Sequence, residues 1–197
     1  MPDSSLPSPI HHEIVDALVT MHRLTDDYTA GHEHRTASLS VKIAHRLDLK
    51  PDRIEVLRMA AQVHDIGKVK IAPTLLHKPG RLSEEEFAVI KTHVQVSYDI
   101  LNPISFPFNL AEIVWCHHES LDGSGYPRAI TGDAIPLEAR ILTVADIVES
   151  MSSDRPYRKA VGMEAALAEI ARLRDTRLDP RVVDACVDIV QAGRARH

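Results

Sequence analysis

Apolar residues recur along this chain at helical rather than strand spacing, and several of its most polar side chains fall in line with them. Ile54, Leu57 and Ala61 stand in register with His64, at steps of three, four and three residues, while Arg53, Glu55 and Arg58 fall elsewhere. An imidazole is therefore expected on the core side of a helix. Pro51 suits the first turn of that helix and Gly67 its end, which puts His64-Asp65 in the last turn. Ser83 and Glu86 read as a capping box opening a helix that runs to about Leu101 and contains His93. Asn109 and Glu112 mark another start, whose apolar run Ile113, Val114, Trp115 leads into His117-His118. Residues 122–127, with two glycines and a proline, read as a loop. Pro136 begins a helix in which Asp146 is embedded among Ile141, Leu142, Val144, Ala145 and Ile147, and helices over 163–174 and 180–191 follow, the second capped by Asp179. No convincing run of strands appears, so the pattern predicts an all-α bundle.

At 197 residues the chain suits one domain, and such a length buries roughly 70% of its unfolded surface without disulfides. Residues 1–9, rich in proline and serine, are expected to be a disordered tail, with 10–197 as the single domain. Cys116 and Cys186 do not make a disulfide framework, and with no secretory signal in view the expected setting is cytoplasmic. The longest run free of charged residues and histidine is 12 residues, from Ile100 to Ala111, broken by Pro103 and Pro107, so no membrane span is expected. A net charge of −5 argues against DNA as a partner. Lys68, Lys70, Lys78 and Arg81 form a local basic stretch, either a solvated loop or a place for an anion.

A single histidine on an apolar face is ordinarily a core or surface residue. Here His64-Asp65 and His117-His118 are adjacent pairs at helix ends, His93 lies inside a helix, and Asp146 is an acid where an unpaired charge costs several kcal/mol. A buried cation removes the difficulty for all of them at once. Imidazoles with carboxylates suit iron, manganese or zinc, and a carboxylate such as Asp65 bridges two ions. Neighbouring helical residues point about 100° apart, so an adjacent pair offers one ligand to each of two ions.

His64-Asp65-Ile66-Gly67-Lys68, His117-His118-Glu119 and Asp122-Gly123-Ser124-Gly125-Tyr126-Pro127 stand in the order found in the HD-GYP family, which the chain resembles from about Thr29 to Ile170. The likeness includes Thr29-Ala30-Gly31-His32, Lys78-Pro79-Gly80-Arg81-Leu82 and Asp154-Arg155-Pro156-Tyr157-Arg158. It implies an HD-domain-like bundle of about seven or eight helices and a metal-dependent phosphodiesterase. Its substrate would be the bacterial messenger cyclic di-GMP, hydrolysed to linear pGpG and, in some members, onward to GMP. It further implies two divalent ions, typically iron or manganese. His32, His64, Asp65 and Asp146 would hold one, and Asp65, His93, His117 and His118 the other. A close pair of divalent ions supplies a nucleophile at neutral pH and neutralises charge on the attacked phosphoryl group. By the same resemblance Lys68 stabilises the transition state, Arg155 and Arg158 grip phosphate or guanine, and Tyr126 lines the opening. The 122–127 loop would shape entry and contact diguanylate cyclase domains.

Some positions depart from that pattern. Trinuclear members carry a glutamate where this chain has Tyr28, with Asp26 and Asp27 nearby, and many members have aspartate where it has Glu149, a longer carboxylate expected to pair with Lys68 from behind the site. His11, His12, His22, His34, His45, His77 and His197 match no ligand position and are read as surface residues, and Cys116 as core. Two alternatives stay open: a phosphodiesterase for another cyclic dinucleotide, such as a mixed guanine-adenine messenger, and a non-catalytic metal-loaded domain that binds the messenger or a cyclase. If the Tyr28 position carries no ligand, Tyr28→Phe leaves metal content unchanged by elemental analysis. Loss of an ion would revive a third site.

Overall fold

The helix starts follow the caps. Ser83 Oγ accepts from the Glu86 amide at 3.2 Å while the Glu86 carboxylate accepts from the Ser83 amide at 2.8 Å, a complete capping box. Asn109 Oδ1 accepts from the Glu112 amide at 3.1 Å, and Asp179 Oδ1 from the Arg181 amide at 3.0 Å. The computed structural model describes residues 7–25, 29–106, 108–154 and 159–194. Among them nine α-helices occur in the order α1 (Pro9–Thr25), α2 (Thr29–Arg46), α3 (Pro51–Val63), α4 (Pro73–Leu76), α5 (Glu84–Leu101), α6 (Leu110–Trp115), α7 (Leu137–Ser152), α8 (Met163–Leu173) and α9 (Pro180–Arg194). Two 3-10 turns, Ile66–Lys70 and Gly132–Ala134, complete the regular structure, and no strand is present in these residues beyond an isolated bridge between Arg174 and Leu178. The bundle is thus all-α as expected. The helix beyond the expected seven or eight is α4, a single turn that Pro73 begins. Of the expected tail, residues 1–6 lie outside the described residues.

Helix α2 packs on both α3 and α7, with α1 and α6 against α3, and α8 and α9 against α7. Ile43 of α2, Leu57 and Met59 of α3, and Ile141 and Leu142 of α7 are fully buried where these helices meet. Each such side chain contributes about 1.5–3 kcal/mol of gross hydrophobic stabilisation. Among the described residues no helix is long and apolar enough to cross a membrane.

Two details differ from the sequence reading. Gly67 does not stop α3, which ends at Val63 with His64 still helical and Asp65 leaving the helix at φ −97°, ψ 5°. Gly67 lies instead inside the following 3-10 turn, where that turn presses on α5. A Cβ there would stand 2.0 Å from the His93 carbonyl oxygen and 2.6 Å from the Ser97 nitrogen. The Gly67 amide donates to Ser97 Oγ at 2.8 Å, and that hydroxyl donates to the His64 carbonyl at 2.9 Å. Ser97 therefore ties the end of α3 to the middle of α5.

His22, read as a surface residue, is buried at 3% exposure and lies 2.7 Å from Glu33, itself 1% exposed. Its pKa is raised, since the Glu33 carboxylate outweighs a burial effect that pulls the other way. The partner sits on α2, so only the packing of α1 on α2 reveals the pair. His34, His45 and His77 are exposed as expected, His11 and His12 are half-buried, and His197 lies outside the described residues. His12 reaches Glu55 of α3 at 2.6 Å. Gly67→Ala is expected to cost about 3 kcal/mol or more, because backbone must move to admit the methyl; urea unfolding measures it.

Candidate metal centre

Four helices and one turn bring the seven candidate ligands together. His32 comes from α2, His64 and Asp65 from the end of α3, His93 from α5, His117 and His118 from the turn after α6, and Asp146 from α7. His32 Nε2 lies 3.2 Å from Asp146 Oδ1 and 4.0 Å from Asp65 Oδ2. His64 Nε2 lies 3.5 Å from Asp65 Oδ2, and His93 Nε2 3.3 Å from Asp65 Oδ1. Asp65, 2% exposed, is therefore central, with one oxygen facing His32 and His64 and the other facing His93. Donor atoms within 4.8 Å of one another form the groups His32, His64, Asp146 and His93, His117, His118, with a third group of His64, Asp65 and His117 between them.

The backbone fixes which nitrogen each ring offers. Nδ1 of His64 donates to the Ala61 carbonyl at 2.9 Å, Nδ1 of His93 to Ile90 at 2.6 Å, and Nδ1 of His117 to Val114 at 2.5 Å. A carbonyl only accepts, so Nδ1 carries the proton and Nε2 presents a lone pair to the centre. Thr143 Oγ1 donates to the His117 carbonyl at 2.7 Å, steadying that turn from α7. Nε2 of His32, His64, His93 and His117 is buried without a hydrogen bond of acceptable geometry. Three desolvated nitrogen lone pairs, with His32 Nε2 facing Asp146, beside two carboxylates match the donor set of a transition-metal cation, which would complete them all and displace the His32 proton.

Burial works against the Asp65 carboxylate, yet the Lys68 ammonium and the His64 and His93 rings hold its pKa well below the ordinary value. Asp146 is likewise held low against burial by His32, His64 and His118. Burial opposes protonation of His32, but Asp146 and Glu149 push its pKa up to about 9. Burial, then the neighbouring His93, lowers His118 to about 3, and burial with His118 and His64 lowers His117. The cluster thus has an acidic side and a neutral, nitrogen-only side.

Lys68 Nζ donates to Asp65 Oδ2 at 2.5 Å and borders an open cleft of about 620 Å3 floored by Asp65, His93, His118 and Asp146. Tyr126 lines the cleft, its ring stacked on His118 at 4.8 Å and its amide donating to the His118 carbonyl at 3.1 Å. Arg155 and Arg158 lie outside the described residues, as do Asp26, Asp27 and Tyr28. The basic stretch does not converge: Lys78 pairs with Glu86 at 2.6 Å, and Lys70 and Arg81 are exposed. Cys116 is fully buried, as a core residue should be.

Glu149 departs from the expected pairing with Lys68. Its carboxylate accepts instead from His32 Nδ1, from Arg35 Nε at 2.6 Å and from Ser153 Oγ at 2.7 Å. It sits one helical turn after Asp146 on α7, beside α2 rather than beside the 3-10 turn that carries Lys68. Sequence reasoning missed Arg35, Ser97 and Thr143. Arg35 alone had a signal, standing three residues after His32 on the same helix face.

The fold and the histidine-aspartate cluster define a metal-site helical domain of the HD type. The HD domain family model matches residues 17–182, and the chain belongs to that family, within it to the HD-GYP type. The cyclic di-GMP phosphodiesterase response regulator RpfG of Xanthomonas campestris is 40% identical over 173 residues, covering 87% of this chain and 45% of that protein. The 3'3'-cGAMP-specific phosphodiesterase 3 of Vibrio cholerae is 40% identical over 186 residues, covering 91% and 40%. The chain thus spans less than half the length of these relatives. A solved HDG"Y"P protein of Bdellovibrio bacteriovorus shares the fold at a TM-score of 0.73 and 17% identity, over 92% of this chain and 63% of that one.

Gly125 holds the Tyr126 loop against the two-histidine turn. A Cβ there would lie 2.4 Å from the Glu119 Cα and from the Ser120 nitrogen, and 2.5 Å from the His118 carbonyl oxygen. Gly125→Ala is expected to displace His118 and lower the bound metal, read by elemental analysis, with a stability loss of about 1–3 kcal/mol in urea unfolding.

Proposed function

We propose that this chain hydrolyses cyclic di-GMP to linear pGpG, with pGpG or GMP as the end product, as a metal-dependent phosphodiesterase. The observation that carries the reading is the clustering of seven metal-compatible side chains, four of which, Asp65, His93, His118 and Asp146, line with Lys68 one cleft whose volume falls in the range of small-molecule sites. The similarity to phosphodiesterases of cyclic dinucleotides supports the substrate class. His32, His64 and Asp146 would hold one ion and His93, His117 and His118 a second, with Asp65 shared, and iron or manganese suits the mixed imidazole and carboxylate set. When bound, two such ions supply an activated water and neutralise charge on the attacked phosphodiester.

The chain's own residues do the rest. Asp65 stays ionised because Lys68 and the histidines favour its charge, so it is available as a bridge at neutral pH. Lys68 sits at the cleft beside that bridge, where it offers a donor to the phosphoryl oxygens as negative charge grows. Tyr126 lines the cleft with its ring stacked on His118, and Arg155 and Arg158 are proposed to hold phosphate or base. We also propose residues 10–197 as one such domain, working in the cytoplasm, with the 122–127 loop as a contact for diguanylate cyclase domains.

A second reading keeps the chemistry and changes the base. In that reading, supported by the similarity to a cGAMP-specific phosphodiesterase, the substrate would be 3'3'-cGAMP. Anaerobic purification, elemental analysis and parallel turnover of cyclic di-GMP and 3'3'-cGAMP decide between them. Two ions per chain with no turnover of either would overturn the enzyme reading in favour of a messenger-binding domain. Asp65→Ala is expected to lose both ions or their bridging, because neutral imidazoles do not offset two close divalent charges. Lys68→Ala is expected to retain two ions and lower kcat by about 10²–10³-fold. An unchanged kcat at full metal content would remove Lys68 from the chemistry.

A further inference from the structure

The two halves of the cluster are unlike in charge. Around His32 and His64 stand the Asp146 carboxylate, 3.2 Å from His32 Nε2, and the Glu149 carboxylate, bonded to His32 Nδ1. Three of the other rings have only a neutral backbone carbonyl behind them: Ala61 for His64, Ile90 for His93 and Val114 for His117. His32 is thus the one ring among these four backed by a carboxylate, which makes its Nε2 the stronger donor. Glu149 is 5% exposed and steadied by Arg35 and Ser153, so its orientation is fixed by the fold before any ion arrives. The other half offers His93, His117 and His118, three imidazoles with no carboxylate of their own. Its nearest negative charge is Asp65, whose Oδ1 lies 3.3 Å from His93 Nε2, with Asp146 acting on His118 from across the cleft. Lys68 donates to Oδ2, the Asp65 oxygen on the His32 and His64 side, so it offsets part of that half's charge, and Asp146 and Glu149 supply the surplus that remains. Arg35 offsets part of Glu149, yet the Arg35 side chain is half exposed and its charge is screened by solvent.

We propose that the two halves fill in order: the His32, His64, Asp146 half takes a divalent ion tightly, with Glu149 setting its affinity, and the three-histidine half takes the second ion weakly and exchanges it. The proposal rests on the two-metal reading above and adds a regulation to it. Because the chemistry needs both ions, a chain holding only the first is inactive, and turnover follows the free metal concentration near the weaker dissociation constant. Glu149 is in this account a positioning residue acting through His32. Desolvated carboxylates attract a divalent cation far more strongly than neutral nitrogens do, which fixes the direction of the difference.

The test is a titration of chelator-stripped full chain with Mn²⁺, read by competition with a chromophoric chelator, with stoichiometry by elemental analysis. The wild type is expected to show two dissociation constants at least about tenfold apart. His118→Ala should lose only the weaker, and Glu149→Gln should weaken the tighter by about 10–100-fold, the usual cost of removing a group that orients a ligand. Circular dichroism of each variant separates lost binding from lost fold, and the wild-type titration stands whatever the variants do. Two equal constants in the wild type overturn the proposal, as does loss of the tighter ion in folded His118→Ala. Unequal constants with no turnover of any cyclic dinucleotide would sink the phosphodiesterase reading and leave the filling order intact. Turnover with equal constants would do the reverse.

Discussion

Two carboxylates buried in an apolar bundle, Asp65 and Asp146, set the terms for the rest of the molecule. Leaving an ionised carboxylate unpaired in such a place costs several kcal/mol, so cationic or cation-binding groups must surround it. The chain meets this by drawing one or two histidines from each neighbouring element and turning their Nε2 atoms inward. What turns them is the helix itself. In His64, His93 and His117 the other ring nitrogen bonds the carbonyl three residues earlier, so the backbone that makes the helix also chooses the tautomer. Each ring then has little freedom left, and the donors are in place before any ligand arrives.

That arrangement demands close approach between elements, and small residues provide it. Gly67 lets the turn after α3 touch the backbone of α5 at His93, and Gly125 lets the Tyr126 loop lie on the His118 turn. Ser97 bonds both sides of the first contact, and Thr143 holds the second turn from α7. None of these four residues lines the cleft, yet they fix the distances between candidate ligands contributed from different helices. A bundle with the same core and looser contacts at these points would keep its helices and lose the cluster.

The acidic and neutral sides of the cluster arise from one choice on α7. Asp146 and Glu149 stand one helical turn apart and address opposite nitrogens of the same His32 ring.

Much of this was legible in the sequence, because helical period is a local property. The three-four-three spacing placed His64 on the core face, the caps at Ser83, Asn109 and Asp179 marked real helix starts, and Asp146 announced itself as an acid among apolar neighbours. The ordered motifs named the family and gave a ligand set that the packing brings to one place. The tertiary structure alone decided the partners of residues whose charge is answered from another helix. His22 looks like a surface residue until α1 meets α2 and Glu33 covers it, and Glu149 looks like a partner for Lys68 until α7 turns it toward His32 and Arg35. Gly67 reads as a helix stop because glycine ends helices, and only the approach of α5 shows that it is there for want of a side chain. Spacing along one helix fixes which face a residue occupies. What that face meets depends on how helices distant in sequence pack, and no local pattern carries it.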